Sequence, residues 1–143
     1  MKLRIANSGD QSYVAATWTK GAARALVRRG SSPAVTTATA RLVDAFLELD
    51  TTRVIVACTD TDEARIMGWL AYRVGKPAVL HYVYVRKEYR GKGLCRRLLA
   101  QIGASANAPL VATFSGPDTK FIKRVVPLLT SYDAKEFLAN ERT

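Results

Sequence analysis

Apolar positions along this chain change period several times, and each change marks an element. Leu3 to Ala6 alternates like a short strand and runs into Asn7-Ser8-Gly9-Asp10, a polar turn of the kind that starts a helix. Between Val14 and Arg29 the residues Val14, Trp18, Ala22 and Leu26, with Ala15 and Ala25 beside them, recur at helical spacing up to Gly30. SSPAVTT breaks the chain there. Ser32 can cap a second helix and Pro33 suits its first turn. That helix is expected from about Val35 to Leu49, with Leu42, Val43, Phe46 and Leu49 on one face.

The middle of the chain predicts a β-meander. Arg53–Thr59, Ile66–Val74 and Ala78–Arg86 are strand-like, separated by the acidic turn Asp60-Thr61-Asp62-Glu63 and by Gly75-Lys76-Pro77. A helix from about Gly91 to Ala104 follows, then a strand near Leu110 to Phe114. Ser115-Gly116-Pro117-Asp118 can start a further helix, which Pro127 ends or kinks. Periodicity leaves the tail TSYDAKEFL open between a last strand and a short docked helix.

A length of 143 residues, 48% of them hydrophobic, supports one domain spanning residues 1–143. The longest apolar runs, Arg53–Cys58 and Ala78–Val85, are strand-length and far short of the roughly 20 residues that cross a membrane. MKLRIANSGD has no signal-peptide core, so a cytoplasmic protein is expected, with no membrane partner. Cys58 and Cys95 form no disulfide framework and no metal-ligand spacing, so no metal is expected. Cys58 closes the VIVAC run as a small buried apolar residue. Cys95 opens a helix among arginines, where a thiol pKa can fall, but no acylation partner accompanies it.

The charge changes the picture more. Lys and Arg number 22 against 12 Asp and Glu, a net charge of +10 that favours anionic partners. Much of the excess lies at Arg24, Arg28, Arg29, Arg41, Lys120, Lys123 and Arg124. Such a surface admits nucleic acid through counterion release, or is simply a solvated basic exterior.

The densest chemistry lies in VLHYVYVRKEYRGKGLCRRLL, Val79 to Leu99, where strand, glycine turn and helix follow one another. Gly91 and Gly93 let the backbone bend and approach a ligand. The unpaired N–H groups and the dipole of the next helix favour an anion, and Arg86, Lys87, Arg90, Lys92, Arg96 and Arg97 add charge. A phosphate or pyrophosphate fits that turn. The spacing matches neither the GxxxxGKS/T phosphate loop nor the GxGxxG dinucleotide fingerprint.

Arg90-Gly91-Lys92-Gly93-Leu94-Cys95 resembles the Q/R-x-x-G-x-G/A motif of the Gcn5-related N-acetyltransferases (GNAT), with Cys95 where that family has Gly or Ala. The strong resemblance covers about residues 78 to 102. MGWLAYR followed by VLHYVYVRKEYRGKGL is also similar to small phage- and prophage-encoded members of that family. The resemblance implies a single α/β domain with a mixed, mainly antiparallel sheet flanked by helices, and favours a strand for the tail. It implies direct transfer of an acetyl group from acetyl-CoA to an amine in a ternary complex. By that resemblance the backbones of Val83, Tyr84 and Val85 would hold the pantetheine arm and support the thioester oxygen. Arg90, Gly91, Lys92, Gly93, Leu94, Cys95 and Arg96 would hold the pyrophosphate, and Ser115 stands near where an asparagine often contacts the arm.

The proton route departs from the family's pattern. Val79 occupies the position where some members carry a glutamate base. His81, the single histidine, lies two residues on and shares that face of a regular strand, so it is either a proton relay or a structural histidine bonded to a neighbour. Tyr82 and Tyr84 are expected on the opposite face, as core, pocket wall or, for Tyr84, an acid. Phe121 aligns with the family's thiolate-protonating tyrosine, for which Tyr132 in the tail, or water, can substitute. Trp18 and Trp69 read as core positions rather than as a stacking pair. Competing readings remain open at this stage: a noncatalytic fold that binds nucleic acid or a host protein, and DNA base modification of the phage type. The protein is expected as a monomer or homodimer, in the host cytoplasm if phage-encoded.

Overall fold

The computed structural model describes residues 1–27, 33–104, 107–114 and 119–142. After strand β1 (Lys2–Ile5) the Asn7 side chain accepts the Gly9 N–H at 2.9 Å, and the Asp10 carboxylate accepts the Asn7 N–H at 2.8 Å. This reciprocal cap satisfies donors that a helix start leaves open. Arg4 grips the same carboxylate with two nitrogens, at 2.6 and 2.9 Å, and donates to the Glu63 carbonyl at 2.8 Å. One half-buried ion pair therefore joins β1, the start of α1 (Gln11–Val27) and the acidic turn.

Helix α2 (Pro33–Glu48) packs against α1 and leads to the expected meander: β2 (Thr52–Cys58), β3 (Ile66–Arg73) and β4 (Ala78–Val85). Helix α3 (Leu94–Ala100), β5 (Leu110–Ala112), α4 (Thr119–Val125), β6 (Leu129–Ser131) and α5 (Ala134–Arg142) complete a single α/β domain. The six strands lie in sequence order; β1 to β4 are antiparallel, whereas β4–β5 and β5–β6 are parallel. The mixed, mainly antiparallel sheet is the architecture expected. Helices α1, α2 and α5 cover one face around Trp18, Phe46, Trp69 and Phe137, while α3 and α4 cover the other around Leu70, Leu80, Leu98 and Ile122.

Three details differ from expectation. Helix α3 is shorter than Gly91–Ala104, because Gly91, Gly93 and Gly103 have φ of +76°, +82° and +73°, outside right-handed helix. The tail forms a strand and a helix in succession. β6 satisfies the free edge of β5, and Asp133 then starts α5 by accepting the Glu136 N–H at 3.0 Å, which lets Phe137 and Leu138 enter the core. Most consequentially, β3 and β4 shift register: Tyr72 faces Leu80 but Ala71 faces Tyr82, so His81 is an extra residue in β4. The bulge breaks the alternation. His81, Tyr82 and Tyr84 consequently all contact aromatic rings on the α1–α2 face, rather than lying on opposite faces.

Candidate active site

Strand β4 has two unlike halves. Ala78–Leu80 pairs with β5, and the Thr113 N–H reaches the Leu80 carbonyl at 3.1 Å; from Tyr82 to Val85 the ladder among described residues runs to β3 alone. The Arg86 N–H bonds the Met67 carbonyl at 2.9 Å across β3. By antiparallel alternation the Tyr84 backbone also faces β3, whereas those of Val83 and Val85 face the open edge. Of the three backbones expected to hold a pantetheine arm, two point to that edge and one points away. The Val85 carbonyl is itself taken by the Arg90 Nε at 2.8 Å, so the edge offers chiefly N–H groups and the Val83 carbonyl.

Gly68 fixes the position of this edge. A Cβ there would stand 2.6 Å from the Tyr84 carbonyl oxygen and 3.3 Å from the Val85 Cα, so only glycine lets β3 lie this close to β4.

The turn after β4 carries Arg90, Gly91, Lys92 and Gly93, all exposed, and the first bond into α3 runs from the Arg97 N–H to the Gly93 carbonyl at 3.1 Å. The N–H groups of Leu94 and Arg96 precede that bond and point out of the helix start. A Cβ built at Gly91 or Gly93 meets nothing within 4 Å. Glycine is required there by backbone angle, and the space in front is open. Donors, positive side chains and open volume coincide at this turn, which is the chemistry a pyrophosphate demands. Cys95 is half-buried on α3, and Ser115 lies outside the described residues, as do Arg28, Arg29 and Ser32.

His81 has no exposed surface. Its Nδ1 lies 2.8 Å from the Thr113 hydroxyl, Nε2 is buried with no partner among the described residues, and the ring is enclosed by Trp18, Phe46 and Phe137 at centroid distances of 6.4, 4.8 and 5.1 Å. Burial, helped by the Arg73 charge, pushes its pKa down to about 3. The imidazole is thus a neutral core residue bonded to a neighbour, with no surface from which to take a substrate proton. Trp18 and Trp69 are equally buried, with centroids 5.7 Å apart. Tyr132 is partly exposed at the end of β6, and its hydroxyl accepts the Asn140 amide at 2.8 Å.

Tyr84 is half-buried on the open half of β4 and meets Tyr13 of α1 edge-on, with centroids 6.3 Å apart. Burial, then a hydrogen bond with Tyr84, pushes the Tyr13 phenol up to about 12, so it stays protonated. Tyr13 also walls a recess of about 560 Å³ bounded by Arg4, Asn7, Ile66 and Arg86. Tyr13 and Thr113 escaped the sequence reading because nothing in their local pattern marks a cross-layer contact. Among the described residues no group of three His, Cys, Asp or Glu is placed to hold a metal ion, and no helix is long and apolar enough to cross a membrane.

Residues 21–108, more than half of the chain, match the family model described as Acetyltransferase (GNAT) family. The chain belongs to the GNAT acetyltransferase family. Enzymes of the GNAT family generally use acetyl-CoA, and the glycine turn and open edge described above have the donors to receive it. Among solved structures, a mutant of a Bacillus halodurans protein is 17% identical, with 100% of this chain and 93% of that one covered and a TM-score of 0.56. The ribosomal-protein-alanine N-acetyltransferase of Brucella melitensis biovar Abortus 2308 is 15% identical, with 87% of each chain covered and a TM-score of 0.51. A transcriptional regulator from Bacillus halodurans C-125 is 18% identical over 86% and 89% of the two chains, with a TM-score of 0.53. At these identities the likeness is one of fold. No curated protein sequence matches this GNAT chain.

Proposed function

We propose that this protein is an N-acetyltransferase that moves an acetyl group from acetyl-CoA directly to an amine, with both substrates bound together. The observation that carries this reading is the coincidence of an open, one-sided strand edge at Val83 and Val85 with the exposed Arg90–Arg96 turn. Bound there, acetyl-CoA supplies a thioester as acyl donor. The N–H groups of Gly91, Lys92, Gly93 and Leu94 would hold the pyrophosphate, with Arg90, Lys92 and Arg96 adding charge and Cys95 allowing close approach. The Val83 and Val85 backbones would orient the pantetheine arm, and a backbone N–H there would support the thioester oxygen.

For the proton route we favour Tyr84 over His81. Tyr84 lies on the open half of the strand with its ring edge-on to Tyr13, whose phenol remains protonated, whereas His81 is sealed. Tyr132 is the second candidate acid, and Ser115 the remaining candidate contact to the arm. A cytoplasmic protein, monomeric or homodimeric, in the manner of small phage or prophage members, is the setting this reading assumes. The acceptor is an amine on a small molecule, a protein or a nucleic-acid base.

One observation favours a different reading. Val79 is buried where some family members place a carboxylate base, which suits a fold that binds without catalysing. Calorimetric titration with acetyl-CoA, with CoA and ATP as controls, separates the two. Saturable one-to-one binding that prefers the thioester, lost in Gly93→Glu, is expected for the enzyme. Binding shared equally by every polyphosphate would overturn it. Tyr84→Phe should then lower turnover and change the pH–rate profile, while His81→Gln should leave that profile unchanged.

A further inference from the structure

The net charge of this molecule is concentrated. Residues 86–126 contain nine Lys and Arg against Glu88 and Asp118, while the other 102 residues contain 13 against 10. Neither α3 (LCRRLLA) nor α4 (TKFIKRV) carries an acidic residue. Their inward sides, Leu94, Leu98, Leu99, Ile122 and Val126, are buried against the same sheet face, so the cations project outward together. Arg90, Lys92, Arg96, Arg97, Lys120, Lys123 and Arg124 are all exposed.

The pairing of these cations is the second observation. Elsewhere Lys2, Arg4, Arg73 and Arg86 have a carboxylate partner, while exposed cations such as Lys20 and Arg24 have none among the described residues, so what distinguishes the α3–α4 face is the number of such cations on two adjacent helices. The seven on the α3–α4 face have none among the described residues. Two of them are held instead over an aromatic ring: the Arg96 and Arg124 guanidinium carbons lie 5.9 and 5.8 Å from the Phe121 centroid. A cation over a ring keeps its outward N–H donors free while its position is restrained. The face is thus a set of unneutralised donors spanning two helices.

We propose that the α3–α4 face binds the phosphodiester backbone of a nucleic acid, without reading base sequence. Protein interfaces are poor in charge at their centre and rich in exposed aromatic anchors, whereas here the single ring is already covered by guanidinium groups. A membrane surface would call for several apolar side chains to insert beside the cations, whereas of the exposed large hydrophobic residues among the described ones, Ile5, Val74, Leu128 and Tyr132, none lies on either helix and only Leu128 follows α4. A polyanion with phosphates every few ångströms meets the spacing of many small contacts. The face includes Arg90, Lys92 and Arg96, so the nucleic acid and acetyl-CoA compete for the turn. The inference stands on charge placement and does not depend on acetyl transfer.

The test is fluorescence anisotropy of a labelled 20-base-pair DNA duplex with the full chain, across a salt series, with polyglutamate and anionic phosphatidylserine vesicles as comparators. Contact with roughly five phosphates predicts a log–log salt slope of about −4.5. The combined Lys120→Glu, Lys123→Glu and Arg124→Glu variant should weaken duplex binding by about tenfold or more and flatten the slope by about 2.7 units. Acetyl-CoA affinity, measured separately by calorimetry, should change little. Arg97→Glu provides an independent variant on the other helix. Excess acetyl-CoA should release the duplex. Duplex binding that survives both variants, or polyglutamate or vesicles binding more tightly than DNA, would overturn the proposal. Loss of acetyl-CoA binding in Gly93→Glu reports on the acetyltransferase reading alone.

Discussion

The two faces of the sheet are built on opposite terms. On the α1–α2–α5 side, Trp18, Phe46, Trp69 and His81 are fully buried and the polar atoms inside are few: Trp69 Nε1 donates to Thr17 at 2.9 Å and His81 Nδ1 meets Thr113, while Trp18 Nε1 and His81 Nε2 have no partner among the described residues. On the α3–α4 side an aliphatic layer supports a surface of exposed cations that have no carboxylate partner among the described residues. The first face determines whether the chain folds. The second determines what the folded chain attracts. The open half of β4 lies between them, with Tyr84 packed toward one face and Val83 and Val85 toward the other.

Experiments that break this contrast rank by expected size. Trp18→Ala should cost about 4 kcal/mol in urea unfolding, because it empties the centre of the aromatic face. Acid should come next. His81 titrates at about 3 when folded and near 6.5 when unfolded, so below pH 6.5 the unfolded chain binds a proton that the folded chain refuses. Stability should therefore fall by roughly 1.4 kcal/mol per pH unit from about pH 6 toward 3, and this slope should vanish in His81→Gln. Asp10 acts in the same direction but lower, since the Arg4 hydrogen bonds hold its pKa below the ordinary carboxylate value. Its stabilising contribution is lost only as pH falls through that depressed pKa.

Thr113→Val should cost about 2 kcal/mol by removing the partner of a buried imidazole, measurable as a lower urea midpoint with unchanged slope. At the small end, Lys123→Ala or Arg97→Ala should change stability by less than about 0.5 kcal/mol. A larger loss at either residue would mean that the basic face contributes to folding, and would dissolve the contrast.

Most of the meander was legible because local signals suffice for it. Each of β2, β3 and β4 falls within one residue of its expected bounds at either end, since β-branched runs and polar turns define them without help from distant residues. Asn7 and Asp10 also declare their cap in four consecutive letters. The bulge at His81 was not legible. It depends on how Ala71 and Tyr72 pair across the ladder, and alternation read along β4 alone puts Tyr82 and Tyr84 on the wrong face. The glycine turn could be found from sequence because φ and charge are local requirements. The Arg90 side chain bonding the Val85 carbonyl could not, because it depends on the path of the intervening turn.

That last contact bears on how the chain behaves at high concentration. A strand left unpaired along half its length is a template for another chain's strand, and an interior gap between β4 and β5 is as exposed to that hazard as an outer edge. Arg90 occupies the terminal acceptor of the gap and brings a positive charge to its mouth, so an incoming strand loses one rung and meets a cation at the point of entry. A flexible arm that needs only a few bonds is still admitted. The guanidinium at the mouth of the turn thus also makes this edge a poorer template for a second copy of the chain.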